Sequence, residues 1–352
     1  MDFTLNEEQT AIADLAGQIL GDTCAPDHLI ALEAAGGGVL DAAWAALVKA
    51  DLVGVALPES VGGGGYGVLE AALVAEQVGR HVAPVPYAPT LAAALVLAEA
   101  GGHDDLLREV AGGAATLAVA VDEAGGEVRA KDGTLTGERA FVPFAAGAAA
   151  ILVTAVDDTG AAGLHLVRAG EGVTLVDELA IWNQPQSTVQ LDSAPAVAVG
   201  DAALAARAVE IATALAVAQV AGLCEGAMRI TAKYVSEREQ FGSRIGTFQA
   251  VGQRMADSYI DTQGVHLTAL QAAWRLSQNL PAAEALHIAK FWAAEGGHRV
   301  AHAAQHLHGG IGMDTSYPVH RYFRWIKTLE FQLGGGTDHL RALGALLAAE
   351  PA

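Results

Sequence analysis

Cysteine is nearly absent from this chain. Cys24 and Cys224 stand far apart, build no disulfide framework, and suit a reducing compartment. Basic residues are also scarce: 20 Lys and Arg face 40 Asp and Glu, a formal charge of −20. Such a field repels nucleic acid and anionic membrane surfaces before any contact forms, so both are excluded as partners. An anionic ligand would have to be held locally, by a few cations or backbone N–H groups working against the global charge. Charges interrupt the apolar segments before they reach spanning length, and the start, MDFTLNEEQ, is acidic where a signal peptide would be basic. The expectation is a cytoplasmic protein with no membrane segment.

Apolar residues are plentiful. With 352 residues, 52% of them hydrophobic, and a mean hydropathy of +0.32, the chain can bury a large core and divide into two or three domains. Thr4 and Glu7 have capping-box spacing, and Ile12, Leu15, Ile19 and Leu20 follow at helical spacing. After the loop LPESVGGGGYG (57–67), Leu69, Ala72, Leu73 and Val78 resume that period. From Thr116 the texture changes to the short runs TLAVAV, TLTGERAFV, AILVTAV, GLHLV, GVTLV and STVQL. Turn-forming KDG, DDTG and RAGEG separate them, which predicts a small antiparallel sheet or barrel. From Asp201 onward long helical periods return. Phe248, Val251, Met255, Tyr259 and Thr262 mark one apolar stripe, continued by Ala269, Ala273 and Leu276. The predicted class is α+β: a helical domain over 1–115, a β domain over 116–200 and a helical bundle over 201–352.

Some motifs fall away on inspection. GGGGYG at 62–67 has the spacing of a dinucleotide fingerprint but lacks the strand and βαβ unit that fingerprint needs. His302 and His306 lie four apart, yet no glutamate follows His302 and no third ligand is evident, so no metal site is predicted. Two constellations remain. In SEREQFGSRIGTFQAV (236–251), Arg238 and Arg244 sit with phenylalanines and glutamines at a helix junction. That mixture suits a phosphate gripped by charge-assisted forks and a flat ring held by stacking, and equally an ordinary solvated turn. In QHLHGGIGMDTSYPVHRYFRWIK (305–327), His308 and the glycines after it end a helix. They form either a backbone anion nest or a plain glycine cap.

Taken jointly, Arg238-x-x-Phe241-Gly242, Phe248-Gln249 and His308-Gly309-Gly310-Ile311-Gly312, within a helices–sheet–bundle order, resemble the acyl-CoA dehydrogenases over nearly the whole chain. The resemblance implies FAD-dependent α,β-desaturation of an acyl-CoA thioester, with electrons passed to an electron-transfer flavoprotein. In such enzymes a carboxylate takes the α-proton and the flavin lies at a subunit interface. Arg238 would then reach the pyrophosphate of a neighbouring subunit's FAD. Gln240, Phe241, Phe248 and Gln249 would line its adenosine end, and His306, His308, Gly309 and Gly310 would approach the same dinucleotide.

The departures from the family pattern concern chemistry. The family's tail motif, Glu-Gly-Thr, reads Gly335-Gly336-Thr337 here, so the catalytic carboxylate is missing. Some members carry the base early in the first bundle helix, at the position of Ala212. Glu210 is near, but two residues turn a helix by about 200°, so it faces elsewhere. The β domain lacks the Gly-Ser loop that meets the flavin ring, and His306 stands where glutamine is usual. The resemblance therefore implies the short subunit of a heterotetramer, lending half of a flavin site to a longer, glutamate-bearing partner. The alternatives are a self-sufficient homo-oligomer using Glu210 or another base, and a non-catalytic scaffold of the same fold. The glycine triplet 334–336 is expected to form a helix cap and a turn into a last helix with Thr337 as its N-cap.

Overall fold

In the computed structural model, residues 3–349 are described, apart from 123 and 179. Helices come first: α1 (Glu7–Thr23), α2 (Pro26–Ala34), α3 (Asp41–Lys49), α4 (Val68–Arg80), α5 (Tyr87–Ala100) and α6 (Asp104–Ala111). Strands follow: β1 (Leu117–Ala120), β2 (Arg129–Lys131), β3 (Thr134–Pro143), β4 (Ala150–Val156), β5 (Ala162–Val167), β6 (Val173–Asp177) and β7 (Gln186–Gly200). After α7 (Ala202–Glu237) come the two-residue strands β8 (Glu239–Gln240) and β9 (Ser243–Arg244), then α8 (Gln249–Ser277), α9 (Ala283–His308), α10 (Val319–Leu329) and α11 (Gly336–Ala349). This is the predicted order of helices, sheet and helices.

The chain packs as two units. One is built from Met1–Ile30, Ala72–Ala83 and Ala216–Ala352, the other from Ala31–Ala71 and Pro84–Leu215. In the first, α4 and α7 meet backbone to backbone. A Cβ added at Gly222 would lie 1.8 Å from the Glu76 carbonyl oxygen, and one at Gly79 2.0 Å from that of Gln219. Only glycine permits that approach. Beside the crossing, buried Glu76 receives His266 of α8 at 3.1 Å. Asp261 of α8 accepts a two-pronged bond from Arg299 of α9 at 2.8 and 2.6 Å. In the second unit, β4, β2, β3, β7 and β5 pair in turn and β5 returns to β4, so the sheet closes into a barrel; β1 adds to β4 and β6 to β7. Closure pairs the edges of the barrel strands, leaving β1 and β6 with one neighbour each among the described residues. Its interior is small and aliphatic, filled by residues such as Val128, Leu135, Ile151, Val153, Val167 and Val189.

Four expectations need correction. The sheet is mixed, because β1 and β2 both pair parallel to β4. The capping box of α1 is Asn6 and Gln9, two residues after the Thr4–Glu7 pair. The Asn6 side chain accepts the Gln9 N–H at 2.8 Å and the Gln9 side chain accepts the Asn6 N–H at 3.1 Å, asparagine being at least as good a cap as threonine. The stripe on α8 is buried only from Thr262 onward. Tyr259 is 54% exposed, and the buried row begins at Ser258 and Asp261, whose polar groups are satisfied by Arg254 O and Arg299. Finally, Thr337 lies inside α11, where Asp338 accepts the Gly335 N–H at 3.0 Å and caps the helix from its first turn.

Candidate functional site

The first constellation begins where α7 stops. The Arg238 N–H still donates to Tyr234 O at 2.8 Å, but the Arg238 carbonyl accepts from Ile245 N at 2.8 Å, so the chain leaves the helix and returns at once. Between these points β8 and β9 pair Glu239 with Arg244 and Gln240 with Ser243, leaving Phe241 and Gly242 as the turn. Their φ values are +53° and +76°. Two successive positive φ values make the primed hairpin turn that matches strand twist, a place that favours Asn-Gly over any bulky residue. Phenylalanine here is locally unfavourable, and its side chain is 94% exposed. Its ring meets Phe248 edge-on at 6.4 Å, and Phe248 N-caps α8 just before the exposed Gln249. The Gln240 amide folds back on Glu239 O at 2.8 Å. Arg238 is exposed, and among the described residues no carboxylate pairs with it. The outcome is an arm carrying a free cation and two exposed aromatic rings. Beside it opens a shallow groove of about 430 Å³ lined by Val235, Arg244, Val251 and Met255.

The second constellation ends α9. Gly309 takes φ +60° and ψ −137°, and its N–H turns back to His306 O. A Cβ at Gly309 or Gly310 would meet nothing within 4 Å, so this backbone stands open. His308 is 3% exposed, its Nδ1–H donating to Ala304 O at 2.8 Å. Burial lowers its pKa below the ordinary histidine value, and its Nε2 finds no partner among the described residues. The His308 ring stacks on Tyr234, centroids 4.5 Å apart and planes 25° apart, with Tyr317 at 5.1 Å on another side. Tyr234 lies one helical turn before Arg238, so this stack brings the arm and the glycine loop together. The His306 side chain is exposed. His302 stacks on His298 at 4.2 Å.

The candidate base positions are occupied otherwise. Gly335 sits at the mouth of α11 with ordinary space for a side chain, the nearest atoms to an added Cβ being Asp338 Oδ2 at 3.6 Å and Phe331 at 3.8 Å. The turn is held by Lys290, 1% exposed, which donates to the carbonyls of Leu329 (3.2 Å), Glu330 (3.0 Å) and Gly334 (2.7 Å). Sequence reasoning missed Lys290, although a lysine inside the apolar run HIAKFWAA was a visible anomaly. It also missed Glu295, whose Oε1 lies 3.0 Å from a Cβ placed at Gly336. Ala212 is a half-buried residue of α7. Glu210 lies 3.6 Å from Arg207, which itself forks onto Glu99; burial raises the Glu210 pKa, with Arg207 opposing.

Comparison with known proteins accords with this geometry. Family models described as the acyl-CoA dehydrogenase N-terminal and C-terminal domains match residues 6–113 and 199–345. The chain is 39% identical to the acyl-CoA dehydrogenase FadE27 of Mycobacterium tuberculosis over the full length of both. It superposes on a chain of the ChsE4–ChsE5 complex of M. tuberculosis with a TM-score of 0.95 at 38% identity, covering 100% of each chain. A variant of the Tcur3481–Tcur3483 steroid ACAD gives 0.93 at 39% identity, covering 98% of this chain and 99% of that one. With whole-length identity at this level and both terminal domains matched, the chain belongs to the acyl-CoA dehydrogenase family, oxidoreductases that act on acyl-CoA thioesters.

Proposed function

We propose that this chain is one subunit of a two-component, FAD-dependent acyl-CoA dehydrogenase. It supplies the adenosine and pyrophosphate half of a flavin site to a longer, glutamate-bearing partner. The carrying observation is the arm: Phe241 is held 94% exposed in a backbone conformation that phenylalanine disfavours, beside an exposed Arg238 that no carboxylate pairs with among the described residues. Apart from the edge-on contact of Phe241 with Phe248, this arrangement makes no stabilising side-chain contact among the described residues, and strained, exposed residues concentrate where a ligand or partner completes them.

The residues fit the dinucleotide. Arg238 offers the planar fork that grips a diphosphate, Phe241 and Phe248 offer stacking faces, and Gln240 and Gln249 offer amides to a base edge. Gly309 and Gly310 leave space for backbone approach. FAD brings hydride acceptance to α,β-desaturation, while this chain binds and orients. No carboxylate at position 335 or 212 is available to move the α-proton, which the partner's glutamate would do. Domain divisions at 1–115, 116–200 and 201–352 follow this reading, with the arm and loop both in the last. The steroid ACAD among the relatives argues for a bulky acyl-CoA; an electron-transfer flavoprotein as acceptor follows only from the family resemblance. The 36-residue α7 is long and apolar enough to cross a membrane, yet 89% of its most apolar window is buried in the protein, as in the core helix of a soluble protein; the cytoplasm is the compartment proposed.

Co-expression with the longer subunit, followed by flavin content and acyl-CoA turnover, tests the proposal. The pair should hold FAD and turn over, whereas the chain alone should do neither. A second reading has one observation in its favour: Glu295 sits over the Gly335–Gly336 turn and could serve a self-sufficient enzyme. Turnover by the isolated chain that disappears in Glu295→Gln, or in Glu210→Gln, would establish it.

A further inference from the structure

The proposed half-site is assembled from two separate pieces of backbone, the end of α7 and the end of α9. Each piece is short, exposed and carries glycine. What joins them is aromatic. Tyr234, one turn before Arg238, stacks on His308, the residue immediately before Gly309. The Tyr234 hydroxyl lies 3.5 Å from His308 O, and Tyr317 closes on both, 6.1 Å from Tyr234 and 5.1 Å from His308. The imidazole is further fixed by its Nδ1–H bond to Ala304 O. That bond commits the proton to Nδ1 and leaves Nε2 a bare acceptor, so the ring cannot donate to a phosphate.

We propose that Tyr234, His308 and Tyr317 form a clasp that sets the distance between the Arg238 arm and the Gly309–Gly310 loop, making His308 a positioning residue for dinucleotide binding. The inference rests on the flavin half-site proposed above. The clasp acts through shape and stacking. Offset aromatic pairs at 4.5–7 Å contribute beyond the area they bury, and small errors in placing binding groups cost affinity steeply.

The test uses the assembled complex with its partner subunit, titrated with FAD by flavin fluorescence, with thermal unfolding followed in parallel. His308→Leu keeps the volume but removes the stack, and should weaken FAD binding about tenfold. His308→Phe restores a ring and should bind FAD within about twofold of the parent. Tyr234→Leu should match His308→Leu, and the double variant should be no worse than either single one, since both remove the same contact. The clasp is overturned if His308→Leu binds FAD as the parent does, if His308→Phe is as impaired as His308→Leu, or if the two leucine variants are additive. Should His308→Leu fail to fold, the comparison of Tyr234→Leu with His308→Phe decides alone. Failure of the underlying reading looks different: the parent complex then holds no FAD, or Arg238→Ala leaves its affinity unchanged.

Discussion

At the scale of single residues, the proposed function turns on what Arg238 offers and on what Gly335 lacks. Arg238 is exposed and has no carboxylate partner among the described residues. Its replacement by alanine removes charge-assisted bonds worth roughly 1.5–3 kcal/mol each, so FAD affinity in the assembled complex should fall by more than tenfold with the melting temperature unchanged. Gly335 stands where the proposed function has no base, and its geometry does not require glycine. The position lacks the positive φ that would demand glycine, and an added Cβ meets only ordinary contacts. Gly335→Glu should therefore fold with stability within about 0.5 kcal/mol of the parent; a large drop in melting temperature would contradict this picture of an open turn. His266 offers a test by pH. Its 3.1 Å contact with the Glu76 carboxylate raises its pKa above the ordinary histidine value, against the lowering effect of burial. A raised folded pKa contributes stability that is full below the unfolded value near 6.5 and is lost as pH rises through the folded pKa. The stability gap between parent and His266→Gln should accordingly be widest in mildly acidic solution and narrow toward alkaline pH. Other histidines with lowered pKa, such as His81 and His308, titrate in both proteins and cancel in the difference.

At the scale of elements, glycine has two distinct uses. Between α4 and α7 it removes volume: Gly222→Ala drives a methyl group to within 1.8 Å of the Glu76 carbonyl, and the helices must part. Unfolding in urea should show a loss of about 1–3 kcal/mol or more. At the β8–β9 turn glycine satisfies only half of what the turn demands, because Phe241 precedes it with φ +53°. Phe241→Asn creates the favoured Asn-Gly turn, so the isolated chain should be as stable as the parent or gain up to about 1 kcal/mol. The same change should weaken FAD retention in the assembled complex. Opposite signs in the two measurements would mark Phe241 as kept for binding against local preference. Much of this level was legible in the sequence. The strands were announced by alternating runs and by KDG, whose Asp132 and Gly133 do adopt positive φ. What escaped was set by long-range contact. The parallel pairing of β1 and β2 with β4 leaves no local signature, and the outward face of α8 near Tyr259 reads as core because apolar periodicity cannot tell an intramolecular neighbour from a solvent-facing row.

At the scale of the whole molecule, the family was visible because the Arg-x-x-Phe-Gly, Phe-Gln and His-Gly-Gly pieces occur at a joint spacing across the bundle. The geometry then added what spacing cannot: the Tyr234–His308 stack that unites two of those pieces, and Lys290 holding the glycine turn from within. Neither was readable from the chain, since each depends on which faces of α7, α9 and α10 come together. A formal charge of −20 sharpens the case for a local cation. With so acidic a background, the proposed binding of a diphosphate would rest on the few positive groups at the arm and on backbone N–H groups, and should weaken as salt screens that attraction.

The most direct measurement is the flavin stoichiometry of this chain purified alone and together with its longer relative, with Arg238→Ala beside each. The account predicts no retained FAD for the lone chain, FAD and acyl-CoA turnover for the pair, and loss of both when Arg238 is replaced. A lone chain that carries a full complement of FAD and desaturates acyl-CoA, or a pair indifferent to Arg238, would contradict it.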